Sequence, residues 1–472
     1  MRCGWMLDAG RSSKLEMQPE RIAQCCLDHY ERQLTKGKPK PKGEWTVFAA
    51  ILAERLHPRD CWVVSCATGT KCTAFRHSGC VLHDCHAEVL ARRGLMRTLW
   101  TEILSSSTPS TLPSGNRRLL EPSETDDGKF CLSSNVKLHL YISCSPCGDA
   151  TIYPVTENEV MLHTGAKVIV SPESGIDPSH CGGEGRLLQG TTVAREEIQV
   201  VGKLRTKSGR SNLPAHLRSS SMSCSDKIVQ WCSMGLEGGL LSGKINSPIF
   251  LSSIVVSQDP RVEAGSTSLP STQQQALQRA IPDRVVAVWD VMRKGESPPR
   301  WQVTVPSVHV VPVEFPADKA AMEAEILATS SSNIKHQGQS NGTMCYHSVS
   351  KKRKRDEEGP GGLSPCGISL NWLHLDATTT ELIVGARGIC QGKKPKADSD
   401  YTKLASRLCR RELARLAQRA YGPSTNSSIA YQTFKNQVAS PEWKHWKNEI
   451  LKSPTLAGWL RTSEEADFLF VP

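Results

Sequence analysis

The stretch Asp84-Cys85-His86-Ala87-Glu88-Val89-Leu90-Ala91-Arg92-Arg93-Gly94-Leu95 decides how this chain is read. An imidazole and a carboxylate stand two residues apart where an apolar period of helical type begins, because Val89, Met96, Leu99, Trp100 and Ile103 fall on one face. His86 and Glu88 are therefore expected at the N-terminus of an inward-packed helix, where the helix dipole favours anionic groups beside a metal. A lone His-x-Glu is a weak motif. It gains weight from thiols elsewhere, in Ser145-Pro146-Cys147-Gly148-Asp149 and Ser223-Cys224-Ser225-Asp226-Lys227.

Upstream, Thr46 to Leu52 and Cys61 to Ser65 are apolar runs consistent with paired strands, and Thr68-Gly69-Thr70-Lys71 reads as a turn able to face a substrate. Pro19 suits the first turn of a helix on which Ile22, Cys26, Tyr30 and Leu34 recur every fourth residue. Lys36, Lys38, Lys40 and Lys42 alternate with Gly and Pro, which leaves a basic loop, either a solvated linker or an RNA contact.

Downstream, Val136, Leu138, Leu140 and Ile142 alternate with polar residues as a strand that runs into Ser145-Pro146-Cys147, and Pro146 is placed to open a helix. Another helix restarts at Cys224, with Ile228 and Trp231 inward. Residues 248–257 and 302–313 read as strands, with a short helix from Gln273 to Ile281 between them. Strands alternating with helices make this an α/β domain. Lys403, Arg407, Arg411, Arg415 and Arg419 recur every fourth residue as a basic helical stripe, and Trp443, Trp446 and Trp459 argue that the C-terminal region packs on a core.

The 472 residues include 58 basic and 47 acidic ones, a net charge of +11 that favours a polyanionic partner. No apolar run has the length of a signal-peptide core or a membrane span, so a soluble intracellular protein is expected, located in the nucleus, the cytoplasm or both. The 18 cysteines then read as reduced thiols, a few of them metal ligands. Residues 1–16 read as a disordered extension, 105–134 as a low-complexity loop, and 317–365 as a disordered basic insertion. That insertion carries Lys351-Lys352-Arg353-Lys354-Arg355, the pattern of a nuclear import signal.

Hydrolytic zinc needs three protein ligands and one open position. His86 and Cys147 supply two. The usual third place, three residues after Cys147, is Ala150. Cys144 has Cys-x-x-Cys spacing with Cys147 but lies in the strand, before the Pro146 break.

Here a resemblance becomes informative. Cys85-His86-Ala87-Glu88, Ser145-Pro146-Cys147-Gly148-Asp149-Ala150 and Met222-Ser223-Cys224-Ser225-Asp226-Lys227, in this order, resemble the RNA-editing adenosine deaminase family. The likeness extends through Thr68-Gly69-Thr70-Lys71-Cys72, Leu204-Arg205-Thr206-Lys207, Ser406-Arg407-Leu408-Cys409 and Gly458-Trp459, so it covers residues 17–472 as one editase domain. It implies a cytidine-deaminase-like three-layer α/β/α core, with His86, Cys147 and Cys224 on Zn2+ and Glu88 as the catalytic proton shuttle. The implied reaction is attack of water at C6 of adenine, yielding inosine. Within the family the chain is similar to the tRNA-acting branch, which implies a tRNA partner, the alanine tRNA edited immediately 3′ of its anticodon, with Thr70 and Lys71 near the RNA. No stretch resembles a double-stranded-RNA-binding domain, and neither a membrane nor DNA is expected as a partner.

The family also implies a buried inositol hexakisphosphate. Arg92 and Arg93, about 100° apart on one helix, cannot both reach a narrow solvent face, and an inward guanidinium needs an anion. The matching positions are Arg92, Arg93, Lys227, Trp231, Arg410 and Trp459, with Lys444 and Asp467 placed less directly. Gln230 and Glu237 depart from the pattern, and a carboxylate at 237 would repel phosphate. The competing readings are a deaminase of double-stranded RNA, a cytidine deaminase and a zinc-stabilised RNA-binding protein for which Glu88 would be dispensable.

Overall fold

The structure is a computed structural model. It describes residues 17–460 apart from 42, 76, 107–116, 155–158, 170–190, 195–200, 210–213, 215–217, 264–270, 296–300, 302, 327–361, 377–378, 393–399 and 423–428, and also 468–470. The extension 1–16, the basic run 351–355 and Asp467 lie outside the described residues.

Among the described residues, eight strands form the central sheet. They are β1 (Phe48–Arg55), β2 (Asp60–Thr68), β3 (Val136–Ile142), β4 (Ser253–Ser257), β5 (Ser307–Val311), β6 (Ile368–Leu373), β7 (Glu381–Val384) and β8 (Ile389–Cys390), in spatial order β5-β4-β3-β1-β2-β6-β7-β8. β3, β4 and β5 run parallel to one another, and the remaining neighbours are antiparallel. Strand period sorts the side chains to two cores. Ala49, Ile51 and Ala53 of β1 join Leu138, Leu140 and Ile142 of β3 on one face. Phe48, Ala50 and Leu52 face the other way, against Ile22, Cys26 and Tyr30 of α1 (Pro19–Gln33). Every residue of β1 is buried because both faces are covered by helices.

Helix α2 (Ala87–Ser105) is the centrepiece. Leu90, Leu95, Leu99 and Trp100 are all 0% exposed, so α2 is enclosed on most sides rather than along a single face. Gly94 permits this: a Cβ there would lie 2.7 Å from both Ser65 Cβ and Leu373 Cδ2. The Ser65 hydroxyl donates to the Ala91 carbonyl at 2.7 Å, fixing the helix against β2.

Several expectations need correction. Thr68 ends β2, and Thr70–Cys72 is a short strand paired with Asp84–His86, so Thr68 to Lys71 is not a turn. Gly69, with φ +151, makes the bend, and a Cβ there would sit 2.0 Å from the Cys85 carbonyl oxygen. Pro146 opens no full helix: after Cys147 comes a 3-10 turn, Asp149–Thr151, that leads straight into the strand Ile152–Pro154. The 105–134 region contains a hairpin of Leu120–Pro122 with Phe130–Leu132, anchored by Phe130 N donating to Lys244 O.

The five-residue basic stripe is broken. Its helix is only Arg410–Tyr421, started by the Cys409 cap, while Arg407 sits before it and is bound by Asn371 and Asp376. Lys403 belongs to the separate 3-10 turn Tyr401–Leu404. No described helix is long and apolar enough to cross a membrane.

Candidate active site

His86 is the extended residue that precedes α2, and its N–H donates to Asp84 Oδ1 at 3.0 Å. Cys224 is the first residue of α3 (Cys224–Met234), capped by Ser223, whose Oγ accepts from Asp226 N. Cys147 reaches the same place from the loop after β3. Its sulfur is 3.9 Å from His86 Nδ1, the Cys224 sulfur is 3.6 Å from the same nitrogen, and all three donor atoms lie within 4.8 Å of one another. A tetrahedral zinc ion with ordinary bond lengths holds S and N about 3.5 Å apart, so this donor set fits one. Cys144 is not part of the group.

Cys72, Asp84 and His86 form a second convergent trio. Asp84 is poorly suited to a metal, however, because its oxygens are already engaged. Oδ2 accepts from Lys207 Nζ (2.7 Å), Lys227 Nζ (2.5 Å) and Ser221 Oγ (2.8 Å). Burial alone would raise the Asp84 pKa, but the two lysines hold its carboxyl well below the usual range. Lys207 also donates to Cys224 Sγ at 2.8 Å, so a continuous chain of charge runs Lys227–Asp84–Lys207–Cys224.

Glu88 is 2% exposed and lies in the first turn of α2. Its Oε2 has no hydrogen-bond partner among the described residues. An orphaned buried carboxylate oxygen is costly unless something polar meets it in the working protein. Thr70 and Lys71 flank the centre on the short strand that pairs Thr70 with His86, and both are half-buried.

Beside α2 lie two adjoining cavities of ≈ 300 and ≈ 460 Å³. Arg92, Arg93, Trp231, Arg410 and Trp459 line both, and Lys227 lines the smaller. The Arg92 guanidinium lies 4.9 Å from the centre of the Trp231 ring, and its Nε has no hydrogen-bond partner among the described residues. Lys444 lines neither cavity and donates to the Asn436 carbonyl.

The cations missed from sequence are Lys435, which approaches the Trp443 ring from the helix Tyr431–Val438, and Lys447, one turn after Trp443 on the helix Pro441–Ile450. Burial, with Arg410 and Arg92 nearby, pushes the Lys435 pKa down to about 8. Among the described residues, the single carboxylate lining either cavity is Asp84, already paired. Glu237 does not oppose an anion as its charge first implied. Its carboxyl turns to the Ile249 N–H at 3.0 Å, and burial pushes it up to about 7.

Asp84 and Lys207 carry the only sequence signals that could have revealed the charge chain, one two residues before His86 and the other closing Leu204-Arg205-Thr206-Lys207. Lys435 and Lys447 carry none, since tertiary packing alone brings their helices together.

Residues 65–463 match the adenosine-deaminase (editase) domain. The tRNA-specific adenosine deaminase 1 of Drosophila melanogaster is 32% identical over 256 residues, which is 50% of this chain and 54% of that protein. The human protein of the same name is 25% identical across 94% of this chain and 97% of its own length. The double-stranded RNA-specific editase Adar of Drosophila melanogaster is 28% identical over 52% of this chain and 34% of that protein. The chain thus spans about half of the first relative and nearly all of the second. With a domain match across most of its length and a mixed α/β fold that brings His86, Cys147 and Cys224 together, the chain belongs to the adenosine-deaminase (editase) domain family.

Proposed function

We propose that the protein is a zinc-dependent hydrolytic deaminase that converts adenosine to inosine in tRNA, at the adenosine immediately 3′ of the anticodon of alanine tRNA. The observation that carries this reading is the buried, unpartnered Glu88 oxygen beside the His86–Cys147–Cys224 donor set. His86, Cys147 and Cys224 would hold the zinc ion, which would supply a Lewis acid that lowers the pKa of water. Glu88 accepts the proton of the attacking water and returns protons to the adenine ring and the departing ammonia. Asp84 orients the His86 backbone, and Lys207 offsets negative charge at Cys224.

The tRNA substrate is supported by relatives whose names specify tRNA and by the basic balance of the chain. Thr70 and Lys71 are assigned to the RNA because their strand borders His86. An anticodon loop leaves its bases unpaired, so little help is needed to extrude the target. The cation-lined cavities fit inositol hexakisphosphate as a structural counter-ion: they gather Arg92, Arg93, Lys227, Arg410, Lys435 and Lys447 with no free carboxylate among the described lining residues. The basic run at 351–355 supports a nuclear share of the protein.

The test is to incubate purified protein with total tRNA and, separately, with long duplex RNA, and to locate inosine by sequencing. Inosine beside the alanine anticodon supports the proposal. Editing of the duplex with none in tRNA contradicts it in favour of a duplex-RNA deaminase.

A further inference from the structure

Each thiol of the donor set is followed two residues later by a fully buried aspartate, Cys147 by Asp149 and Cys224 by Asp226. Each aspartate is held by an arginine from one continuous helical run. Asp149 Oδ1 accepts from Gly202 N at 2.8 Å and its Oδ2 from Arg279 Nε at 3.3 Å, while Arg279 Nη2 donates to the carbonyls of Asp149 and Ile152, both at 2.8 Å. Asp226 Oδ2 accepts from Ser223 Oγ at 2.6 Å and Arg205 N at 2.9 Å, and its Oδ1 accepts from Arg284 Nη2 at 2.8 Å.

Arg279 and Arg284 bracket a π-helical turn, Arg279–Asp283, that joins the helices Thr272–Gln278 and Arg284–Arg293. On an α-helix residues five apart point roughly 140° away from each other. The i→i+5 repeat of a π turn narrows that separation to roughly 50°, so both guanidiniums leave the same side of the run. Pro282 inside the turn removes an N–H that a regular helix would use. At the start of the run, Gln273 donates to Ser145 Oγ at 3.0 Å, two residues before Cys147.

The two cysteine segments are also sewn to each other. Ser225 Oγ donates to the carbonyls of Pro146 (3.0 Å) and Cys147 (3.1 Å) and accepts from Ala150 N (3.1 Å). Gly148, with φ +114, lets the strands of chain approach this closely: a Cβ there would lie 2.4 Å from Ser223 Oγ.

We propose that Arg279 and Arg284 are positioning residues for the two thiolates. The π turn makes one rigid helical run grip both cysteine segments and thereby set the separation of the Cys147 and Cys224 sulfurs. This rests on the reading of His86, Cys147 and Cys224 as metal ligands. The Arg284–Asp226 pair is a poor device for stability alone, since Nε and Nη1 of Arg284 are buried without hydrogen-bond partners among the described residues. A buried pair with orphaned donors costs desolvation that its attraction does not recover in full, and what it secures here is the geometry of the helix start that carries Cys224.

The test compares wild type with Arg279→Met, Arg284→Met, Arg284→Lys and Asp226→Asn in the full chain. Zinc content, zinc loss to a competing chelator, the visible spectrum of the Co2+-substituted protein and thermal unfolding are measured together. The expected result is one zinc per wild-type chain, a metal affinity about 10–100-fold weaker in each Arg→Met variant, an altered Co2+ ligand-field spectrum, and partial recovery in Arg284→Lys. Arg284→Lys and Asp226→Asn, which keep the volume, carry the comparison if a Met variant does not fold. Folded variants with wild-type zinc affinity and an unchanged Co2+ spectrum, differing only in melting temperature, would overturn the clamp. A wild-type protein that takes up neither zinc nor Co2+ would instead overturn the ligand assignment beneath it.

Discussion

The Lys207 ammonium lies 2.8 Å from the Cys224 sulfur, and it reaches that sulfur while also bonded to Asp84. Both side chains are buried, so this cation cannot be replaced by water without rearrangement. Lys207→Met leaves Asp84 with one lysine and Cys224 without its donor. The expected result is a folded protein whose deamination rate falls about 10–100-fold, with partial recovery in Lys207→Arg. Single-turnover rates measured alongside zinc content check this, and a wild-type rate in Lys207→Met would contradict it.

Arg92, Lys435 and Lys444 separate the cavity cations from an ordinary surface cation. Arg92 and Lys435 line the larger cavity, whereas Lys444 is tied to the Asn436 carbonyl. Arg92→Ala and Lys435→Ala are expected to lower the inositol hexakisphosphate released on denaturation to below half of the wild-type amount, roughly what loss of one charged contact each implies. Lys444→Ala should release as much as wild type. Equal retention in all three variants would remove the cavity assignment.

Glu102 gives a pH dependence of stability with a definite sign. Its carboxylate oxygens accept from Leu119 N and Leu120 N, yet burial outweighs those bonds and pushes its pKa from 4.5 up to about 7. A carboxyl whose folded pKa is raised contributes stability that is fully present below the unfolded value and is lost as pH rises through the folded one. Glu102→Gln keeps an acceptor for the two N–H groups but cannot ionise. The drop in melting temperature between pH 5 and pH 8 is therefore expected to be smaller in Glu102→Gln than in wild type. Identical pH profiles would contradict this assignment.

The parts of the fold and site legible in the sequence are those carried by local pattern. The alternation of Val136 to Ile142 gives β3, and the apolar period after Glu88 gives α2. His86, Cys147 and Cys224 converge in space, but only a resemblance pointed to Cys224, because a ligand 77 residues after Cys147 leaves no spacing to read. The break in the basic stripe is not legible, because cations at every fourth residue do not reveal that Cys409 starts the helix after Arg407. The π turn was invisible for a related reason: Pro282 reads as a helix end, yet the chain continues through it. Lys435 and Lys447 entered the cavity through tertiary packing that no periodicity encodes.

The central claim is that Glu88 moves protons at the His86–Cys147–Cys224 centre without holding the metal. The measurement is inosine formed per enzyme on tRNA in a single turnover, by wild type and by Glu88→Gln, with zinc quantified in both preparations. The account predicts one zinc per chain in each and a rate lower by at least about 10²–10⁴-fold in Glu88→Gln. A Glu88→Gln protein that deaminates at close to the wild-type rate, or one that is inactive because it has lost its zinc, would contradict it.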